Sequence, residues 1–181
     1  MVTPISRHTE PNFQFLGGPV SVRDEFKSEW VLSKVDDLIK DIRVCAEFED
    51  PQIAYNLFKY CFSYPRIVHI LRTVPPHISS VALKSLSVEY RSLIESIVGS
   101  NISDQAFLQA SLGLQVGGLG LRNPVQHAFA GYLASVNKCA PFVEKLIRAQ
   151  GAIEIFWESV EHSLDLFNSI VSLLTRYLWP P

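Results

Sequence analysis

Proline and glycine cut this chain into helix-length pieces, and that punctuation limits the possible folds more than any single motif does. Asp50-Pro51, Pro65, Pro75-Pro76, Gly99, Asn123-Pro124, Pro141 and Gly151 stand between stretches in which apolar residues recur at three- and four-residue steps. Proline is tolerated in the first turn of a helix and breaks its interior, while glycine serves the left-handed position just past a helix end. The first stretch, from Val22 to about Arg43, places Phe26, Trp30, Val31, Val35, Leu38, Ile39 and Ile42 on one face. The punctuation then predicts a helix over "PQIAYNLFKYCF" capped by Asp50, and another from Pro65 stopped by the prolines at 75 and 76. A long helix capped by Ser79 or Ser80 is expected to run to Val98, where Gly99 ends it. A short helix capped by Ser103 follows, then one opened by Asn123 and Pro124. A restart is expected at Pro141, ended by Gly151, before a last amphipathic segment from Ala152 to about Leu178.

The best strand candidate is "FQFLGGPV", an aromatic and apolar run ending in a Gly-Gly-Pro turn. The expected fold class is therefore all-α, a helical bundle with a short N-terminal extended segment. Three divisions are expected: a lead-in over 1–21, a helical domain over 22–142 and a C-terminal amphipathic helical segment over 143–181. A strand supplied without a sheet cannot satisfy its own backbone groups, so this one is expected to be frayed or paired only with itself.

Composition removes several function classes. Hydrophobic residues make up 48% of the 181, enough for a core, and the 11 Phe, 6 Tyr and 3 Trp oppose disorder. Lys and Arg number 16 against 18 Asp and Glu, a net charge of −2, so any nucleic-acid contact must come from a local patch. No apolar run has signal-peptide or membrane-span character, which gives an expectation of an intracellular chain with no membrane contact. Cys45, Cys61 and Cys139 are odd in number and widely spaced, and are expected to be buried free thiols.

The stretch "ASLGLQVGGLGLRNP" contains G-x-G at Gly118 and Gly120, the beginning of a dinucleotide fingerprint. A phosphate loop needs a strand before it and a third glycine three residues later, where this chain has Asn123. The alternative reading is a tight crossing between helices, with glycine permitting positive φ and close backbone approach. Asp36 and Asp37 are adjacent on a helix and point about 100° apart, unsuited to a shared metal ion. The five histidines have no ligand spacing, and no G-x-S-x-G elbow is present. No cofactor, no metal and no enzymatic activity are expected.

Two basic stripes remain. Arg23, Lys27 and Lys34 share a helix face that Asp37 and Asp41 continue, and Arg66, His69 and Arg72 form a second at spacing three. Such side chains are either solvated charges or contacts to phosphates. At the far end, Ile153, Phe156, Trp157, Val160, Leu164, Phe167, Val171, Leu174 and Leu178 make an apolar stripe beside Glu154, Glu158, Glu161 and Asp165. This stripe over 153–178 supports an alternative function, a helical protein-interaction module.

Taken together, "FLGGPVS", "DPQIAYNLFKYCFSYPRIVHILRTVPP" and "SDQAFLQASLGLQVGGLGLRNPVQHAFAGYLASV" resemble the reverse transcriptases (RNA-directed DNA polymerases) of non-LTR retrotransposons, over roughly residues 12 to 142. The first piece resembles the primer grip, F-L-G-x-P-[IV]-G, here Phe15, Leu16, Gly17 and Gly18 with Ser21 in place of the last glycine. The others resemble the thumb and the segment after it, with His69 where tyrosine is common. The resemblance implies a thumb-like helical domain that, in a full-length enzyme, holds the primer–template duplex. It also implies that Arg23, Lys27, Lys34, Arg66 and Arg72 face solvent on one side and touch phosphates. The polymerase aspartates of that family lie upstream of the primer grip and have no counterpart in these residues. The expectation is a non-catalytic fragment with weak or no nucleic-acid binding on its own.

Overall fold

In the computed structural model the described residues are 12–147, 160–165 and 167–169. The chain opens as a hairpin, β1 (Asn12–Phe15) against β2 (Gly18–Ser21), antiparallel with Phe15 opposite Gly18. Leu16 and Gly17 form its two-residue turn, both at positive φ (48° and 79°), the handedness that matches strand twist. The Ser21 hydroxyl donates to Asn12 Oδ1 at 2.5 Å and accepts from the Arg23 backbone N–H at 2.8 Å, tying the hairpin to the first helix. The expected strand thus pairs only with itself.

Helices make up the rest: α1 (Asp24–Cys45), α2 (Pro51–Leu57), α3 (Tyr64–Thr73), α4 (Pro76–Val98), α5 (Asp104–Ser111) and α6 (Pro124–Ile147). The fold is all-α with a short N-terminal extended segment. α1 packs along α4, α3 along α6, and α6 also meets α4; β2 lies against α1 and α3. The periodic face of α1 supplies Val31, Val35, Leu38 and Ile42 to a core completed by Phe58, Ile67, Leu71, Leu83, Leu86 and Tyr90, all at most 3% exposed. Phe26, Trp30 and Ile39, expected on that face, lie half-buried at its border.

The helix ends follow the local chemistry. The Asp50 carboxylate accepts from the N–H groups of Gln52 (2.8 Å) and Ile53 (3.2 Å), Ser103 Oγ from Ala106 (3.1 Å), and Asn123 Oδ1 from Val125 (2.9 Å). Gly99 ends α4 in the left-handed region at φ 73°. Three boundaries differ from the sequence reading. α4 begins at Pro76, and Ser79 is buried inside its first turns, its hydroxyl turned back toward the Pro75 and Pro76 carbonyls. α6 runs through Pro141 without a restart and crosses the expected division at 142–143. "FKYCF", expected as regular helix, widens into a π-helical turn over Phe58–Phe62.

Cysteine placement also differs. Cys45 is buried as expected, but Cys61 and Cys139 are exposed; all three are free thiols. Gly151, the expected helix end, and most of the C-terminal stripe over 153–178 lie outside the described residues. Within its described part, Ser163 is fully buried and the His162 ring meets that of His77 edge-on at 5.2 Å, so this piece packs on the start of α4.

The glycine loop is a crossing of backbones. Leu112 to Leu121 doubles back on α5: the N–H groups of Leu119 and Leu121 both reach the Ala110 carbonyl, and that of Gly120 reaches Leu112. A Cβ on Gly118 would stand 2.1 Å from the Leu112 carbonyl oxygen, where no side chain fits. Gly113, by contrast, is extended (φ −64°, ψ 154°) with open space around it. Gly118→Ala is expected to destabilise the chain by about 2–4 kcal/mol in urea unfolding, and Gly113→Ala to leave it unchanged or raise it by about 0.5 kcal/mol. Equal effects at the two positions would contradict the crossing geometry.

Candidate functional site

The hairpin turn and two helices converge on a cleft of 260 Å³ lined by Gly17, Trp30, Lys34, Asp37, Arg66 and His69, among others. The helical period explains the convergence. Trp30, Lys34 and Asp37 recur at steps of four and three on α1, and Arg66 and His69 at a step of three on α3. Glycine at 17 and 18 lets the turn approach α3: a Cβ at either position would stand 3.6 Å from His69 Nε2, and at Gly18 also 3.7 Å from the Thr73 hydroxyl. Gly18 is accordingly buried, whereas Phe15 and Leu16 project from the tip, 60% and 81% exposed.

The candidate cations divide. Lys34 and Arg66 come together in this cleft. Arg72 is exposed further along α3, and Arg23 is exposed at the N-cap of α1. Lys27 departs from the expected solvent face: its side chain is 21% exposed and its ammonium donates to Asp24 at 2.9 Å. The field in the cleft is mixed. Arg66 donates to Asp41 at 3.1 Å, Asp37 shares the lining, and Lys34 lies 5.9 Å from the centre of the Trp30 ring. An ion pair as exposed as Arg66–Asp41 contributes at most about 1 kcal/mol, so Arg66 can exchange Asp41 for a phosphate at small cost, and Lys34 has no ion pair among the described residues to give up.

A second cleft, of 580 Å³, went unread in the sequence. It lies between the π-helical turn and the glycine loop, and its lining includes Lys59, Tyr60, Leu114, Val116, Arg122 and His127. The Leu119 carbonyl fixes it in place, accepting from the Tyr55 hydroxyl at 2.5 Å and the Lys59 ammonium at 2.9 Å. On the far side the Gln109 amide donates to the carbonyls of Val116 and Gly117 at 3.2 and 3.1 Å. The Arg122 guanidinium lies 4.6 Å from the centre of the Tyr64 ring, which meets His127 edge-on at 5.5 Å. Lys59 and Arg122 are 63 positions apart, and only the aromatic flanks of Lys59 in "FKYCF" marked it locally.

Burial holds His127 below the ordinary imidazole pKa, and the nearby Arg122 lowers it further, against the raising effect of its bond to the Asn123 carbonyl (3.0 Å). His77 is lowered by burial first and by His162 second.

No protein-family model, curated protein or solved structure matches the chain.

Both depressed imidazoles are neutral in the fold at neutral pH. As pH falls, the unfolded chain binds protons first, near its ordinary value of about 6.5. Stability is therefore full above that value and declines as pH drops toward the lower folded values. Urea midpoints are expected to be lower at pH 5.5 than at pH 7.5, and His127→Gln is expected to narrow the difference. An unchanged difference would assign the pH dependence to other groups.

Proposed function

We propose that this chain is the thumb-side, non-catalytic part of a reverse transcriptase-like protein of the non-LTR retrotransposon type, whose role in the full-length enzyme is to hold the primer–template duplex by its backbone. The observation that carries the reading is the seating of Gly17 and Gly18, at the hairpin turn and the start of β2, on α3, where the segment resembling a primer grip shares one cleft with Lys34 and Arg66 of the helices resembling a thumb. Cations beside a close backbone turn suit contacts to phosphate and sugar, which position a duplex without reading its sequence.

The exposed face of the hairpin supports the same reading. Phe15 and Val20 of the strands and Leu16 of the turn are 60%, 41% and 81% exposed, apolar side chains left open to solvent. In the proposed parent this face packs against the palm, which supplies the metal-binding aspartates and the chemistry. These residues bind and orient; phosphoryl transfer belongs to the palm.

Fluorescence anisotropy with a labelled RNA–DNA hybrid at two salt concentrations tests the reading. Nonspecific affinities of order 10⁻⁴ to 10⁻⁶ M are usual for phosphate-directed binding, and the net charge of −2 places the expectation at the weak end. Binding is expected to weaken with salt, and the Arg66→Ala/Arg72→Ala double variant to flatten that dependence by a log–log slope of about 2. Absence of binding at low salt, or a double variant indistinguishable from the parent, would overturn the proposal.

A further inference from the structure

The cleft between the π-helical turn and the glycine loop is separate from the hairpin cleft and carries a different charge balance. We propose that it binds an unpaired stretch of polynucleotide, with phosphates at Lys59 and Arg122 and a base against the ring of Tyr60. The inference rests on this cleft alone and does not require the duplex reading.

Charge fixes the first half of the ligand. No carboxylate lines the cleft, and neither Lys59 nor Arg122 has an acidic partner within ion-pair distance among the described residues. The cleft therefore holds two cations and no counter-charge of its own. Both cations are held in position. Lys59 donates to the Leu119 carbonyl and stands 5.4 and 5.5 Å from the centres of the Tyr55 and Tyr60 rings, and Arg122 is stacked on Tyr64. Cations fixed in this way lose little freedom when an anion arrives.

Exposed apolar surface fixes the second half. Tyr60, Leu114 and Val116 are 65%, 67% and 63% exposed around the same cleft. A free phosphate would leave these walls unused, whereas a nucleotide presents an anion and a flat apolar face together. Aromatic rings beside a basic track are the stacking platforms of single-strand binding, tolerant of sequence because every base has a π-face. A duplex keeps its bases stacked on one another and offers none to Tyr60. An acidic peptide would match the charge, but main-chain recognition needs free backbone groups. The Val116, Gly117 and Leu119 carbonyls already accept from Gln109, Tyr55 and Lys59.

The test is anisotropy of a labelled oligouridine titrated with the full 181-residue chain at low and moderate salt. The proposal expects salt-dependent binding that Tyr60→Ala weakens by roughly 5- to 150-fold and Tyr60→Trp preserves. Arg122→Gln should reduce the salt dependence, and Lys138→Ala, at an exposed position of α6 that lines neither cleft, should leave oligouridine binding unchanged. The Tyr60 side chain is exposed, so a thermal melt of Tyr60→Ala coincident with the parent's confirms an intact fold. Three outcomes would overturn the proposal: no binding at low salt, a Tyr60→Ala affinity equal to the parent's in a folded variant, or displacement by polyglutamate as effective as by unlabelled oligouridine.

Discussion

The edge of the Phe58 ring set against Tyr90 organises this molecule. Their centroids are 4.7 Å apart at 86°, and both side chains are at most 1% exposed, at the point where the middle of the chain meets α4. An edge-to-face pair of this kind contributes roughly 0.5–1.5 kcal/mol beyond the area it buries. Its larger consequence is directional. Phe58 is the first residue of the π-helical turn, and once it is committed to the core, Lys59 is directed to the glycine loop and Tyr60 to solvent. The contact has a cost: the Tyr90 hydroxyl is buried with no hydrogen-bond partner among the described residues, and burial alone pushes its pKa up. A core able to absorb that cost has a strong packing preference for the ring at this position.

Where the sequence was readable, the reason was local. Asp50, Ser103 and Asn123 cap helices because a short polar side chain reaches the next free N–H groups, and Gly99 ends α4 because it adopts positive φ. Where it was not, the local rule was overridden. Ser79 is buried in the interior of α4 instead of capping it, as packing demands, whereas Pro141 sits exposed inside α6 and no packing contact explains it. Nothing in "FKYCF" announces a π-helical turn; the extra residue per turn follows from seating Phe58 and from the bonds that Lys59 and Ser63 make around it.

The two clefts divide in the same way. Lys34 and Arg66 were legible because each lies on a helical stripe, and Gly17 and Gly18 because a close turn needs them. Their meeting follows from β2 packing on α1 and α3. Lys59 and Arg122 share no stripe, and it is tertiary contact, the Leu119 carbonyl held by Tyr55 and Lys59 and Arg122 over Tyr64, that brings the loop carrying Arg122 to the turn carrying Lys59. The contrast in charge follows from position. The hairpin cleft borders α1, which carries Asp37 and Asp41, so Arg66 pairs with Asp41 and Asp37 stands in the lining. The loop cleft is walled by glycine, leucine and valine, which carry no counter-charge.

Ultraviolet crosslinking of a photoreactive single-stranded RNA to the full chain, with the attachment sites mapped by mass spectrometry, tests the account most directly. It reads position without depending on any substitution. The account predicts adducts on Tyr60 and on the loop between Leu114 and Arg122, competed away by unlabelled single strand. Adducts confined to other surfaces, or none under conditions that crosslink a control single-strand binder, would contradict it.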